Sequence, residues 1–163
     1  MKRVTPKCLL PALVCVLALF NPACNDPGRV MDTNTEIPGH NWAYANNIKY
    51  NVNIPDAGAA YNLYFNIRVT GEYKYSNMFV LLHTSGPGLK AKIARYEIPL
   101  ASPDGEWLGS GSGNLYSRQI IFAANYHFPA PGVYHFEIEQ NMRDNPLRQV
   151  SDIGMRIEKV QQH

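Results

Sequence analysis

The sequence predicts an all-β fold, a single β-sandwich of jelly-roll type, and three observations predict it. Apolar and polar residues alternate with a period of two in segment after segment, as on strands that bury one face. The segments recur at short intervals and are bounded by Gly, Pro, Asn and Asp turn residues. Beyond the first residues no stretch carries a convincing amphipathic helical period, and seven or eight short strands around one core make a sandwich.

The chain opens on a processing segment rather than on the fold. Met1-Lys2-Arg3 and Lys7 make a basic start, and Cys8 to Phe20 is almost purely apolar, interrupted by Pro11. That run is shorter than the roughly 20 residues a bilayer span needs, so residues 1–23 read as a secretory signal peptide. Ala23-Cys24 follows, a small residue and a cysteine just past the apolar run, which is the bacterial lipoprotein pattern. Asn21 and Pro22 stand where an aliphatic and a small residue are usual; an ordinary secreted protein cleaved nearby is the alternative. Cleavage before Cys24 leaves a thiol to carry diacylglycerol and an amine to take a third chain. Two chains suffice for stable anchoring at roughly 0.8 kcal/mol per buried methylene.

Of the three cysteines, Cys8 and Cys15 leave with the signal. Cys24 is then the one mature thiol, and an intramolecular disulfide is impossible. The covalent lipid on Cys24 is the one non-protein group expected; no cofactor or metal is. The 15 basic residues include Lys2, Arg3 and Lys7, so 12 remain against 13 acidic ones. A near-neutral chain without a basic patch gives no nucleic-acid footprint.

Residues 24–41 read as a lipidated N-terminus and tether, polar and broken by Pro27, Gly28, Pro38 and Gly39, the later part a candidate edge strand. The β-sandwich domain is expected over 42–163, opening on Trp42 as a plug at one end. Ile48 to Ile54 alternates, Pro55 to Gly58 turns, and Tyr61 to Thr70 alternates again. Met78 to His83 is continuously apolar, as in a strand covered on both faces. Ser85 to Gly88 turns, Ala91 to Ile98 is a weaker strand, and Pro99 to Gly113 is a long Gly/Ser-rich loop around Trp107. Leu115 to Tyr126 is a further strand. At the C-terminus Tyr134, Phe136, Ile138, Gln140 and Met142 share one strand face. After the Asn145-Pro146 break, Ile153, Met155 and Ile157 share another. These read as two antiparallel strands joined by a loop too long for a tight hairpin.

Seven short motifs in order make the chain resemble a known family. They are Tyr61-Asn-Leu-Tyr-Phe-Asn-Ile-Arg68, Tyr75-Ser-Asn-Met78, Gly105-Glu-Trp-Leu-Gly109, Gly113-Asn-Leu-Tyr116, Phe128-Pro129 with Gly132-Val-Tyr134, Gln140-Asn-Met-Arg143, and Asp152-Ile-Gly-Met-Arg-Ile-Glu158. With the lipoprotein signal ahead of them, they resemble the gliding-motility lipoprotein H family (GldH) of Bacteroidetes over nearly the whole mature chain. The resemblance implies an envelope lipoprotein linked to gliding motility and the type IX secretion machinery. It transfers no catalytic residue, since the family has no established ones.

Candidate sites are few. The five histidines have no zinc-site spacing. Glu137 and Glu139 share a strand face about 7 Å apart, within the range of a glycosidase pair, but nothing nearby raises one pKa. Asp56, Asp104 and Glu106 sit in loops without forming a dense calcium-ligand run. Met142 and Arg143, and Arg156 beside Asp152 and Glu158, read as loop-holding ion pairs or as a docking patch. Trp107 reads as a lid on the core or as a contact point. Candidate interaction residues are thus Trp107, Met142, Arg143 and Arg156.

The function expected is a non-catalytic, lipid-anchored lipoprotein acting by protein–protein interaction. Its partners would be other envelope lipoproteins or secretion and motility proteins, with the membrane reached through the lipid and no small-molecule substrate. It would face the periplasm, from the outer rather than the inner membrane. The alternative is a carbohydrate-binding module on the cell envelope, which requires a row of exposed aromatics on one sheet face.

Overall fold

The computed structural model describes residue 26 and residues 28–161. The signal peptide over 1–23 and Cys24 lie outside the described residues.

The described residues form strands and loops with one 3-10 turn, Pro38–His40. The strands are β1 (Arg29–Glu36), β2 (Asn41–Trp42), β3 (Ile48–Ile54), β4 (Tyr61–Thr70), β5 (Asn77–Gly86), β6 (Leu89–Pro99), β7 (Ser110–Ser112), β8 (Leu115–Tyr126), β9 (Gly132–Gln140), β10 (Leu147–Arg148) and β11 (Val150–Lys159). One sheet has the order β1-β11-β4-β8-β7, the other β3-β9-β5-β6, and β2 pairs with β10. Every pairing is antiparallel. Setting aside the short β2, β7 and β10, the first long strand pairs with the last, the second with the second-last, and so inward to β5 and β6. A long hairpin rolled up in this way is a jelly roll.

The period-two pattern works as expected in β3 and β4. In β3, Ile48, Tyr50, Val52 and Ile54 are buried while Lys49, Asn51 and Asn53 are exposed. In β4, Tyr61, Leu63, Phe65, Ile67 and Val69 face the core. Trp42 is fully buried, its Nε1 donating to the Asn46 carbonyl at 2.8 Å. A buried indole N–H needs such a partner.

Three expectations are corrected. The stretch read as a tether with a candidate edge strand does hold an edge strand, β1, but it pairs with β11 from Arg29 to Glu36, so the ordered domain begins well before Trp42. Arg29–Glu36 has little apolar periodicity of its own; its strand conformation comes from the unpaired edge of β11. Secondly, β5 is covered on one face. Met78, Val80 and Leu82 are buried, whereas Phe79, Leu81 and His83 are only partly so. Thirdly, β9 and β11 do not pair with each other. They lie in opposite sheets, and the loop between them crosses the sandwich.

Candidate functional site

Strand register gives the sandwich two unlike ends. Arg29, Tyr61, Tyr126 and Lys159 lie at one end of the first sheet, and Glu36, Thr70, Leu115 and Val150 at the other. The second sheet follows through its connections, with Ile54, Gly86 and Gly132 at the first end and Ile48, Asn77, Pro99 and Gln140 at the second. A ten-residue strand such as β4 sets the ends about 30 Å apart.

The chain enters at the first end, two residues after Cys24. The Asp26 carboxylate accepts from Arg156 and, at 3.2 Å, from the Gly28 amide. The Lys159 amide donates to the Gly28 carbonyl at 2.7 Å. Arg156 also donates to Asp32 Oδ2 at 2.9 Å and to Glu158 Oε2 at 2.6 Å, and the Tyr64 hydroxyl donates to Glu158. The Tyr64 hydrogen bond, then Arg156, hold the Glu158 carboxyl below the usual range. Arg156 does the same for Asp26. Glu158, then Asp32 and Asp26, hold the guanidinium proton tighter still. Three carboxylates therefore surround Arg156, whose side chain is 17% exposed.

Aromatic rings close the core at this end. Phe128 packs edge-on against Tyr61 and Tyr126 and tilted on Tyr134. The Tyr134 hydroxyl lies 2.8 Å from the Pro87 carbonyl and 2.7 Å from that of Ala130, tying two loops together. A Cβ on Gly86 would come within 2.3 Å of the Tyr134 ring, so that position admits only glycine in this packing. Nearby, a hollow of about 740 Å³ opens between the Asp56–Ala60 turn and Lys159–Gln161. Its acid and base are already joined, Lys159 Nζ lying 2.8 Å from Asp56 Oδ2.

The second end carries Trp107, Met142 and Arg143. Trp107 is half-buried against the core and stacks on Tyr116 of β8 with ring centroids 5.0 Å apart at 25°. Its backbone bridges to Ala101, and Leu108 beside it is exposed. On the other sheet Met142 Sδ accepts from the Phe79 amide at 3.2 Å, and the Met142 carbonyl accepts from the Tyr44 hydroxyl. Arg143 is exposed. These two line a hollow of about 370 Å³ with Tyr75, Phe79, Arg95 and Asn141. The Arg95 guanidinium lies 3.8 Å over the Phe79 ring and donates to Asn141 Oδ1 at 2.8 Å. This is a mixed apolar and arginine surface, the composition favoured at protein contacts.

The four candidate residues thus divide. Trp107, Met142 and Arg143 share one end, whereas Arg156 lies toward the other, inside an ion network. Phe79 was not legible because an uninterrupted apolar run does not reveal which residue of β5 faces out, and Arg95 because its place over Phe79 depends on the pairing of β6 with β5.

The Glu137–Glu139 pair lies on the outer face of the second sheet. Asn47, then Lys49, keep Glu137 low despite partial burial, and Glu139 pairs with His83 at 3.0 Å. Of the described aromatics, Tyr44 is the exposed one, at 41%, while Tyr50, Tyr61, Tyr73 and Tyr134 are buried. Among the described residues no group of three His, Cys, Asp or Glu is placed to hold a metal. No described helix is long and apolar enough to cross a membrane.

Comparison with known proteins gives a consistent result. The family model described as "GldH lipoprotein" matches residues 29–157, which begins at β1. A "Gliding motility lipoprotein GldH homolog" of Christiangramia forsetii is 32% identical over 141 residues, 82% of this chain and 86% of that one. The "Gliding motility lipoprotein GldH" of Flavobacterium johnsoniae is 26% identical over 154 residues, 90% of this chain and 93% of that one. Among solved structures, a chain of "Structure of infectious bursal disease virus Gx strain" covers 86% of this chain and 36% of its own. Its 13% identity and TM-score of 0.33 are too low to bear on function.

Proposed function

The chain belongs to the GldH lipoprotein family, and on that premise we propose that it is a non-catalytic, lipid-anchored component supporting gliding motility and the associated type IX secretion machinery by binding other envelope proteins. The anchor is the lipid on Cys24, and the domain faces the periplasm from the outer membrane. The observation that carries this reading is the separation of the two ends. The polypeptide leaves toward Cys24 at one end, and the mixed surface of Phe79, Arg95, Met142 and Arg143 lies at the other. A protein tethered at one end presents such a surface outward, where a partner reaches it. The names of the two relatives support the motility role, and the motif resemblance supports the secretion link.

The carbohydrate-binding alternative is weaker, because the described aromatics offer no exposed row for stacking on sugar rings.

The test is complementation of a deletion strain with Arg143→Glu and Arg95→Glu. Both residues are exposed, so the protein is expected at normal abundance with its lipid label intact. Secretion and motility should fall, and proteins co-purified with the wild type should be lost. Normal secretion, motility and co-purification in both variants would rule out this surface as the contact.

A further inference from the structure

The clamp on Asp26 leaves almost no slack between the lipid and the domain. Two residues span at most about 7 Å, so an acylated Cys24 lies within that distance of Asp26, which Arg156 and the Gly28 turn hold to the end of the first sheet. A bilayer holding that lipid must therefore meet either the first end of the sandwich or the outer face of the first sheet.

The chemistry of the two surfaces distinguishes them. The outer face of the first sheet is an array of charges of both signs, Asp32, Asp152 and Glu158 with the Arg156 and Arg68 that pair with them. The loops at the first end are built instead from proline, glycine and alanine: Pro55 to Ala60, Gly86 to Gly88, and Pro129 to Gly132. Asp56 is the carboxylate they carry, and Lys159 already neutralises it. Pro55, Gly88, Pro129 and Pro131 are exposed there. The loops of the second end are charged by contrast, with Glu72, Lys74, Asp104, Glu106, Arg143 and Asp144.

We propose that the end of the sandwich formed by the Pro55–Ala60, Gly86–Gly88 and Pro129–Gly132 loops is a membrane-apposed surface, lying on the lipid headgroups of the bilayer that holds the anchor. The inference rests on lipidation of Cys24. It adds an orientation: the strands stand toward the membrane normal, and the Phe79–Met142 surface is held about 30 Å from the headgroups. The domain is thus a rigid spacer with its contact surface at a fixed height.

The acyl-modified Cys24 has no free thiol, so one introduced cysteine can be labelled alone. Full-length lipoprotein carrying Pro55→Cys, Pro129→Cys, Gln119→Cys or Asp104→Cys is purified from membranes. Each is labelled with a fluorophore and reconstituted into phosphatidylethanolamine–phosphatidylglycerol vesicles bearing a headgroup nitroxide. Quenching is expected to be several-fold stronger at positions 55 and 129 than at 104, with 119, on the outer face of the first sheet, between them. Strongest quenching at 119 would put that face on the membrane and overturn the proposal. Equal quenching at all four would mean a freely tumbling domain and would overturn it too. Failure of the protein to float with the vesicles and to carry palmitate would remove the anchor, and the orientation with it. Flotation without quenching at 55 and 129 would remove only the orientation.

Discussion

Arg156 binds the carboxylate of Asp26, a residue 130 positions earlier in the chain, and so fastens the segment next to the anchor onto β11. The same guanidinium holds Asp32 and Glu158, which makes this network sensitive to acid. The depressed carboxyl of Glu158 contributes stability that is present above its unfolded value and is lost as pH falls through the lower folded one. Melting temperature should therefore drop as pH falls through and below the ordinary glutamate value of about 4.3. Arg156→Gln should cost about 1 kcal/mol at neutral pH and show a shallower acid decline, since the Tyr64 hydroxyl still bonds Glu158. Parallel decline in mutant and wild type would separate acid sensitivity from this network.

Gly154 faces Asn34 across the β1–β11 pair, and a Cβ there would meet Asn34 Oδ1 at 2.0 Å and the Thr33 carbonyl at 2.5 Å. Gly154→Ala should push β1 off the sheet at a cost of about 1–3 kcal/mol. Hydrogen exchange is expected to speed up over Arg29–Glu36 while β4 remains protected. Unaltered exchange in β1 would mean the strand accommodates the methyl group.

Trp107 is half-buried rather than sealed under its loop, so its truncation removes less than a full core aromatic would. Trp107→Ala should cost about 2 kcal/mol, combining partial burial with the lost stack on Tyr116. Trp107→Phe should recover most of it. A mutant as stable as wild type that no longer co-purifies with partners would make Trp107 a contact residue instead of a structural one.

Cys24→Ser should abolish palmitate labelling and release the domain from membranes or leave it uncleaved. Its unfolding free energy should match that of the lipidated form to within about 0.5 kcal/mol. Undiminished label in the mutant would place the lipid elsewhere.

The sequence by itself determined the class of fold, because period-two alternation in Ile48–Ile54 and Tyr61–Thr70 leaves a strand with one buried face few other states. It likewise marked Trp42 as an end plug and displayed the motifs that led to the family. The tertiary structure decided what alternation cannot encode. Residues 29–36 are a strand because β11 offers them an edge, and Phe79 faces outward because β5 is paired and packed on one side. β9 and β11 part company because each finds its partner in a different sheet. The fate of the candidate residues was decided at the same level. Arg143 stays open at one end, while Arg156 is enclosed by Asp26, Asp32 and Glu158, a cage assembled from residues far apart in sequence, which only the pairing of the first strand with the last brings together.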